Sequence, residues 1–264
     1  MTSCFNATAI RIFGDDNRQM PVESPSRYIS RDTGRLMTYL DSQVIERWIL
    51  PRFDALGLKK RTAIDIGAGK GRMLKCLSER FDHVTAVEPN DFFYATLEAE
   101  SRRYNDVVPF HGTLSALVSE ARIRFDCAYA SGVTPYLDDE ELGAFLRDVN
   151  RCLIPTGLMC IREMGTYGQS ERKEYEINRT RQHMCEVARL AGFECIRFRH
   201  AYPPLFYARL EGWWPSRATR AIRHLATNPV LFIAWELFAR LDLSKKTGRR
   251  FFVYLFRRVP GRSK

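Results

Sequence analysis

The chain has 264 residues, of which 45% are hydrophobic, and a formal net charge of +10. That length and apolar content suffice for a full buried core and favour one elaborated domain over two. Met1 to Gly14 lacks the apolar run of a signal peptide, and the longest apolar stretch, Val230 to Ala239, contains Glu236 and falls short of the roughly 20 residues that span a bilayer, so export and membrane insertion are not indicated and a cytoplasmic protein is expected.

In chain order, the first readable element is an amphipathic helix from Gly34 to Trp48, with Leu36, Leu40, Val44 and Trp48 recurring on one face. Thr62-Ala63-Ile64-Asp65-Ile66 then reads as an apolar strand that runs directly into Gly67-Ala68-Gly69-Lys70-Gly71-Arg72 and a helical pattern. Glycines at such a turn let the backbone bend sharply and approach a ligand where a Cβ would clash, and the following helix aims its N-terminal N–H groups at that ligand. About twenty residues on, Val84-Thr85-Ala86-Val87-Glu88 reads as a second strand ending in an acid, a carboxylate able to accept both hydroxyls of a ribose. The spacing is Gly67-x-Gly69-x-Gly71 rather than the G-x-G-x-x-G of dinucleotide-binding dehydrogenases.

The D-x-G-x-G-x-G turn from Asp65 to Gly71, together with the Glu88 strand end, resembles class I S-adenosylmethionine (SAM) dependent methyltransferases. The resemblance extends over residues 61 to 164. Val108 to Leu114 matches the family's third strand end and turn, and Arg124 to Gly132 its fourth strand. Asp138 to Glu141 predicts a capping box opening a helix whose apolar residues are Leu142, Phe145, Leu146, Val149 and Leu153. Ile154-Pro155-Thr156-Gly157 is expected to break that helix before strand five resumes at Leu158 to Ile161.

The alternation of strand and helix patterns implies an α/β, doubly wound, Rossmann-like sheet, and the resemblance makes it mostly parallel with the last strand antiparallel. Residues 1–60 are expected to form an N-terminal arm and cap helix, and 61–202 the SAM-binding α/β core. Residues 203–248 are expected to be a basic, aromatic helical insertion, and 249–264 the last core strand and tail. Gly192 to Phe198 and Arg250 to Phe256 look like the family's last two strands.

By resemblance, SAM is the cofactor and the reaction is in-line methyl transfer. Asp65 and the backbone of Gly67, Ala68, Gly69 and Gly71 would hold the methionine part, with Arg72 for its carboxylate. Glu88 would hold the ribose, Gly112, Thr113 and Leu114 would border the adenine, and Ser131 and Gly132 would edge the methyl site. Tyr28, Arg31 and Arg35 can reach the cofactor or stay at the surface. A general base is needed only where the acceptor must lose a proton; Glu163 is the first choice, as base or as orienting carboxylate, with Tyr136 and His183 behind it. Tyr167, Tyr175 and Arg179 are expected on the acceptor side.

The charge is unevenly placed. From Arg197 to Lys264 there are 15 Lys and Arg against only Glu211, Glu236 and Asp242, so the rest of the chain is slightly acidic. Within the insertion, Asn228-Pro229 opens a predicted helix with Leu231, Trp235, Phe238 and Leu241 at helical spacing and Arg220, Arg223, Arg240, Lys245 and Lys246 nearby. Such a segment can pack on its own sheet, lie on an anionic membrane surface, bind a polyanion, or close over the active site. No nucleic-acid-binding signature is present, so nucleic acid is not expected as a partner. Seven cysteines without C-x-x-C pairing and five histidines without ligand spacing predict reduced thiols and no metal. The expected acceptor is a small molecule or a lipid- or glycan-linked group. Protein N-terminal methyltransferases share the G-x-G-x-G-R turn, but their acidic, aromatic acceptor pocket has no clear counterpart in Ser131 to Tyr136. Protein methylation, or a SAM-fold binding protein without transfer activity, are the alternatives.

Overall fold

The computed structural model describes residues 31–57, 61–120, 124–166, 169–172, 176–200 and 250–259. Helix α1 (Arg31–Val44) continues into a π-helical turn (Ile45–Ile49) and a short α2 (Leu50–Ala55). The buried residues along these helices include Met37, Asp41, Val44, Ile45, Trp48 and Ile49, so Val44 and Trp48 face inward as the sequence suggests, and the π turn, with its extra residue per turn, adds Ile45 and Ile49 beside them.

Strands β1 (Thr62–Ile66), β2 (His83–Glu88), β3 (Val107–His111), β4 (Phe125–Ser131) and β5 (Leu153–Gly165) alternate with α3 (Leu74–Ser78), α4 (Asp91–Ser101), α5 (Leu114–Glu120) and α6 (Asp139–Cys152). After β5 come the two-residue strands β6 (Glu171–Arg172) and β7 (Ile177–Asn178), then α7 (Arg181–Leu190), β8 (Phe193–His200) and β9 (Arg250–Arg258). The main sheet has seven strands in the order β3-β2-β1-β4-β5-β9-β8. Strands β1 to β5 pair in parallel, while β9 runs antiparallel to both β5 and β8. This is the doubly wound, Rossmann-like sheet expected from the strand and helix alternation.

Parallel strands covered on both faces need apolar residues on both. One core, with Ala63, Cys127, Tyr129, Leu158, Cys160 and Leu255, lies under α1 and the π turn; the other, with Ile64, Ala128, Met159, Ile161 and Tyr254, lies under α6 and α7. Trp48 fastens the N-terminal helix to the far sheet edge, with the Arg197 and Arg199 guanidiniums 4.1 and 3.8 Å from its ring.

The capping box forms as predicted: Glu141 N donates to Asp138 Oδ1 and Asp138 N to Glu141 Oε2, each at 2.9 Å. The expected break at Ile154 to Gly157 is corrected. These residues already belong to β5, and Phe125 pairs with Leu153 ahead of a register shift, so the chain passes from helix into a bulged strand without a separate turn. The insertion 203–248, Tyr28, and the core and tail boundaries at 202/203 and 248/249 lie outside the described residues. Among the described residues, no helix is long and apolar enough to cross a membrane, and no three His, Cys, Asp or Glu side chains cluster as metal ligands.

Candidate active site

The order of crossovers reverses between β1 and β4, and ligands of open α/β sheets bind in the crevice outside the carboxyl ends of strands at such a point. There the glycine turn after β1 faces the Ser131-Gly132 turn after β4. Gly67 has φ +68°, and a Cβ on it would stand 2.5 Å from Val133 Cγ2, which is how close the two turns come. Gly67 N and Ala68 N both donate to Val87 O, at 2.9 and 3.0 Å, locking the turn to β2. At Gly69 and Gly132, φ is +57° and +73° and a Cβ would meet nothing within 4 Å, so both turns border open space.

Glu88 is buried, and its carboxylate accepts from Gly69 N at 2.7 Å and Asn90 N at 3.0 Å. Burial raises its pKa, against those two backbone donors. Asp65 is buried at the end of β1, and its Oδ2 has no hydrogen-bond partner among the described residues. Desolvation pushes Asp65 up to about 7, with Arg72 opposing and Glu88 reinforcing the rise. A buried, unpaired carboxylate oxygen is costly unless a ligand donor meets it.

Arg72 leaves the glycine turn toward α1, where Nη1 donates to Asp41 Oδ2 at 2.6 Å and Nη2 to Ser131 Oγ at 3.0 Å. Arg162 of β5 joins the same cluster, its Nε 3.0 Å from Ser131 Oγ and 3.3 Å from Asp41 Oδ2. Asp41 is 1% exposed. Neither Asp41 nor Arg162 was anticipated; the legible signals were an acid inside a helix's buried stripe and a charged pair, Arg162-Glu163, closing an apolar strand.

On the opposite face of β5, Glu163 is 0% exposed and pushed up to about 7 by burial, against the Thr134 hydroxyl that donates to its Oε2 and the Arg179 charge. Its Oε1 has no partner among the described residues. Thr134 lies in the 3-10 turn (Thr134–Tyr136) after β4, so Glu163 borders the same loop as Gly132. Tyr136 is half-buried and pushed up to about 12 by burial, so it holds its proton at neutral pH.

Several expected site residues hold structural contacts. Arg179 is fully buried, donating to Thr134 O at 2.9 Å, Leu137 O at 2.6 Å and Asp139 Oδ1 at 2.9 Å, and so clamps the loop after β4. His183 contacts the other Asp139 oxygen at 3.0 Å and Ser170 Oγ at 3.1 Å. Thr113 Oγ1 caps α5 by accepting from Ala116 N at 3.1 Å, and Leu114 packs in the core. The backbone of Gly112, whose N donates to Glu88 O at 3.2 Å, remains at the crevice rim beside His111, stacked on Tyr94 with centroids 4.3 Å apart. Tyr167 and Tyr175 lie outside the described residues, as do the side chains of Arg31 and Arg35.

Residues 63–157, from β1 into β5, match a family described as a methyltransferase domain. That stretch, about a third of the chain, is similar to a methyltransferase domain, and the sheet around it has the fold of SAM-dependent methyltransferases. Alpha N-terminal protein methyltransferase 1 of Dictyostelium discoideum is 24% identical over 139 residues, a match covering 51% of this chain and about half, 52%, of that protein. Among solved structures, a putative sarcosine dimethylglycine methyltransferase from Galdieria sulphuraria superposes with a TM-score of 0.58 at 13% identity, covering 86% of each chain. A SAM-dependent methyltransferase from Leishmania major gives 0.57 at 15% identity, covering 83% of this chain and 72% of that one. At such identities these structures establish a shared fold. Asp65 Oδ2 without a partner, the open space at Gly69 and Gly132, and the Glu88 carboxylate held at the rim fit the methyl donor of this methyltransferase family.

Proposed function

We propose that this protein binds SAM in the crevice between β1 and β4 and transfers its methyl group to a small-molecule or lipid- or glycan-linked acceptor. The observation that carries the reading is the buried, unpartnered Asp65 Oδ2 beside an open glycine turn whose rim holds Glu88. When bound, SAM supplies an already activated sulfonium methyl, so the protein's task is alignment and exclusion of water. Asp65 receives the donor's ammonium, the turn from Gly67 to Gly71 holds the methionine part, and Glu88 accepts the ribose hydroxyls. Arg72, steadied by Asp41 and Ser131, faces the methionine carboxylate.

Glu163 takes up the acceptor's proton where the nucleophile carries one. Its carboxyl titrates near neutrality, the range in which a general base combines sufficient ionised fraction with sufficient basicity. Tyr136 stays protonated and is suited to donating a hydrogen bond to the acceptor. Calorimetry with SAM and S-adenosylhomocysteine tests the cofactor half. No heat with the wild type, or equal affinity in Glu88→Ala, would refute it; loss of the ribose contact should cost about 1.5–3 kcal/mol.

A second reading, methylation of protein N-termini, is favoured by the Dictyostelium discoideum relative. Labelled methyl from SAM, chased into a cell extract and fractionated, distinguishes the two. Label in low-mass or lipid fractions supports the first, and label in protein the second. Residues 203–248 are proposed to meet an anionic membrane surface, on the strength of their charge and aromatic pattern.

A further inference from the structure

The two-residue strands β6 and β7 pair Glu171 with Asn178 and Arg172 with Ile177, so the chain folds back and sets Ser170 beside the start of α7. There Thr180 N donates to Ser170 Oγ at 3.3 Å, while the Thr180 side chain caps α7 by accepting from His183 N at 3.2 Å. The same turn brings His183 between two partners. Its Nε2 is 3.0 Å from Asp139 Oδ2, and its Nδ1 is 3.1 Å from Ser170 Oγ. The other Asp139 oxygen accepts from Nε of the fully buried Arg179 at 2.9 Å, which fixes the direction of the carboxylate.

These contacts set the proton positions. A carboxylate only accepts, so the ring nitrogen facing Asp139 carries the hydrogen, and Nδ1 of the neutral imidazole offers its lone pair to the Ser170 hydroxyl. Ser170 thus donates to a base that is itself oriented by an acid, the relation that activates a serine nucleophile. The ring is turned the other way from the commoner arrangement, with Nδ1 toward the serine; its two nitrogens are conjugated, so the roles carry over. Ser170 Oγ also lies at the N-terminal end of α7, where the helix dipole favours the negative charge that the oxygen gains on losing its proton.

We infer that Ser170, His183 and Asp139 form a second chemical site, a nucleophilic serine that cleaves carboxylic esters. Ser170 Oγ attacks the carbonyl carbon, and its proton passes to His183 Nδ1. The tetrahedral adduct collapses, the bond to the alkoxy oxygen breaks, and the alcohol leaves with the proton from Nδ1. The acyl group now rests on Oγ. Water, giving a proton to Nδ1, attacks it; the carboxylic acid departs and Oγ recovers the proton. One ester and one water become one acid and one alcohol. Asp139 touches no reacting atom and is a positioning residue.

Ser170 and Asp139 are exposed and His183 is half-buried, so the site suits an ester whose carbonyl is accessible from solvent. Methyl transfer as proposed above uses neither Ser170 nor His183, so the two readings stand or fall separately.

The test treats the full chain with a fluorophosphonate probe, which phosphonylates activated serines, and locates the adduct by trypsin digestion and mass spectrometry. Cleavage after Arg162 and Arg172 yields peptide 163–172, in which Ser170 is the only serine. The adduct is expected there in unmutated protein, a reading that needs no variant to fold, and should be absent from Ser170→Ala. His183→Ala should slow the labelling about 100-fold, the scale of general-base assistance, and added imidazole should restore part of the rate, which a merely structural histidine would not allow. Hydrolysis of p-nitrophenyl acetate should fall in the same two variants. No adduct on peptide 163–172, equal labelling of other serines, an unchanged rate in His183→Ala, no rescue by imidazole, or undiminished ester hydrolysis in Ser170→Ala would each overturn the assignment.

Discussion

Arg72 Nη1 sits 2.6 Å from Asp41 Oδ2, and through that contact the N-terminal helix is joined to the turn after β1. Arg162 Nε reaches the same oxygen at 3.3 Å, so one buried carboxylate holds α1 to the ends of both β1 and β5. Removing one partner of a buried ion pair leaves an uncompensated charge, a stronger effect than the net value of the pair. Asp41→Asn should therefore cost about 3 kcal/mol in urea unfolding. The variant should also bind S-adenosylhomocysteine more weakly, because Arg72 loses the group that orients it. Wild-type stability in the variant would show that the pair does not hold the helix.

Asp65 ties stability and ligand binding to pH with opposite signs. Its folded pKa, about 7, lies above the usual carboxyl value, so its contribution to folding is fully present below about pH 4 and is lost as pH rises through 7. Asp65→Asn should match the wild type near pH 4 and exceed it by roughly 4 kcal/mol at pH 8 in ligand-free unfolding, from a rise of about three pKa units. Ligand binding should run the other way. A donor ammonium beside Asp65 favours the ionised carboxylate, so S-adenosylhomocysteine affinity should rise as pH passes from 6 to 8 and binding should release protons near neutrality. Calorimetry in buffers of different ionisation enthalpy measures that release; affinity independent of pH would place the ammonium elsewhere.

Much of the crevice was legible because turn chemistry is local. Positive φ at Gly67, Gly69 and Gly71, the Asp138–Glu141 box and the acid ending β2 are each specified by residues within a few positions of one another. What escaped depends on contacts distant in sequence. The Asp41–Arg72 and Arg162–Ser131 pairs join residues 31 positions apart, and Arg179 meets Thr134 across 45. No periodicity reports such pairings, so Arg179 reads as an acceptor-side residue in the sequence, and its clamp on the loop after β4 emerges only in the fold.

The glycine turn offers a contrast between packing and access. Alanine at Gly67 would put a methyl 2.5 Å from Val133 Cγ2 at a left-handed φ, so Gly67→Ala should destabilise the fold and abolish ligand binding together. Gly69→Ala meets nothing in the protein, and its backbone strain of about 1–2 kcal/mol should be the only folding cost. Its methyl would instead enter the space proposed for the ligand. Thermal melts and S-adenosylhomocysteine titrations of both variants separate the two effects; unaltered affinity in Gly69→Ala would show that the ligand does not approach that turn.

At saturating SAM, where the pH dependence that Asp65 gives to cofactor binding drops out, Glu163 should confer a pH profile of its own on methyl transfer. With a folded pKa near 7, the carboxyl is largely protonated at pH 6 and ionised at pH 8, so turnover of a proton-bearing acceptor should climb between them and level off. Glu163→Gln should lose about 10²–10⁴-fold in turnover and flatten the profile, while S-adenosylhomocysteine affinity stays as in the wild type. The assay follows labelled methyl into the acceptor fraction. A variant of unchanged turnover would reduce Glu163 to a partner of Thr134.

The segment from residue 203 to 248 places Leu231, Trp235, Phe238 and Leu241 at helical spacing amid Arg220, Arg223, Arg240, Lys245 and Lys246. An anionic lipid surface attracts each basic side chain near it by about 1 kcal/mol, and salt screens that attraction over a Debye length of about 10 Å at 0.1 M. Three engaged side chains would therefore pellet the protein with anionic vesicles at low salt and release it at high salt. Neutral vesicles should pellet far less. Replacing Arg220, Arg223, Lys245 and Lys246 with glutamine should abolish the salt-sensitive part and leave S-adenosylhomocysteine affinity intact, because the crevice proposed for the cofactor is built from residues of β1, β2 and β4. Equal, negligible sedimentation with both kinds of vesicle would remove the membrane reading and leave the segment as a cover for the acceptor side, where truncating its aromatic residues should raise the acceptor KM.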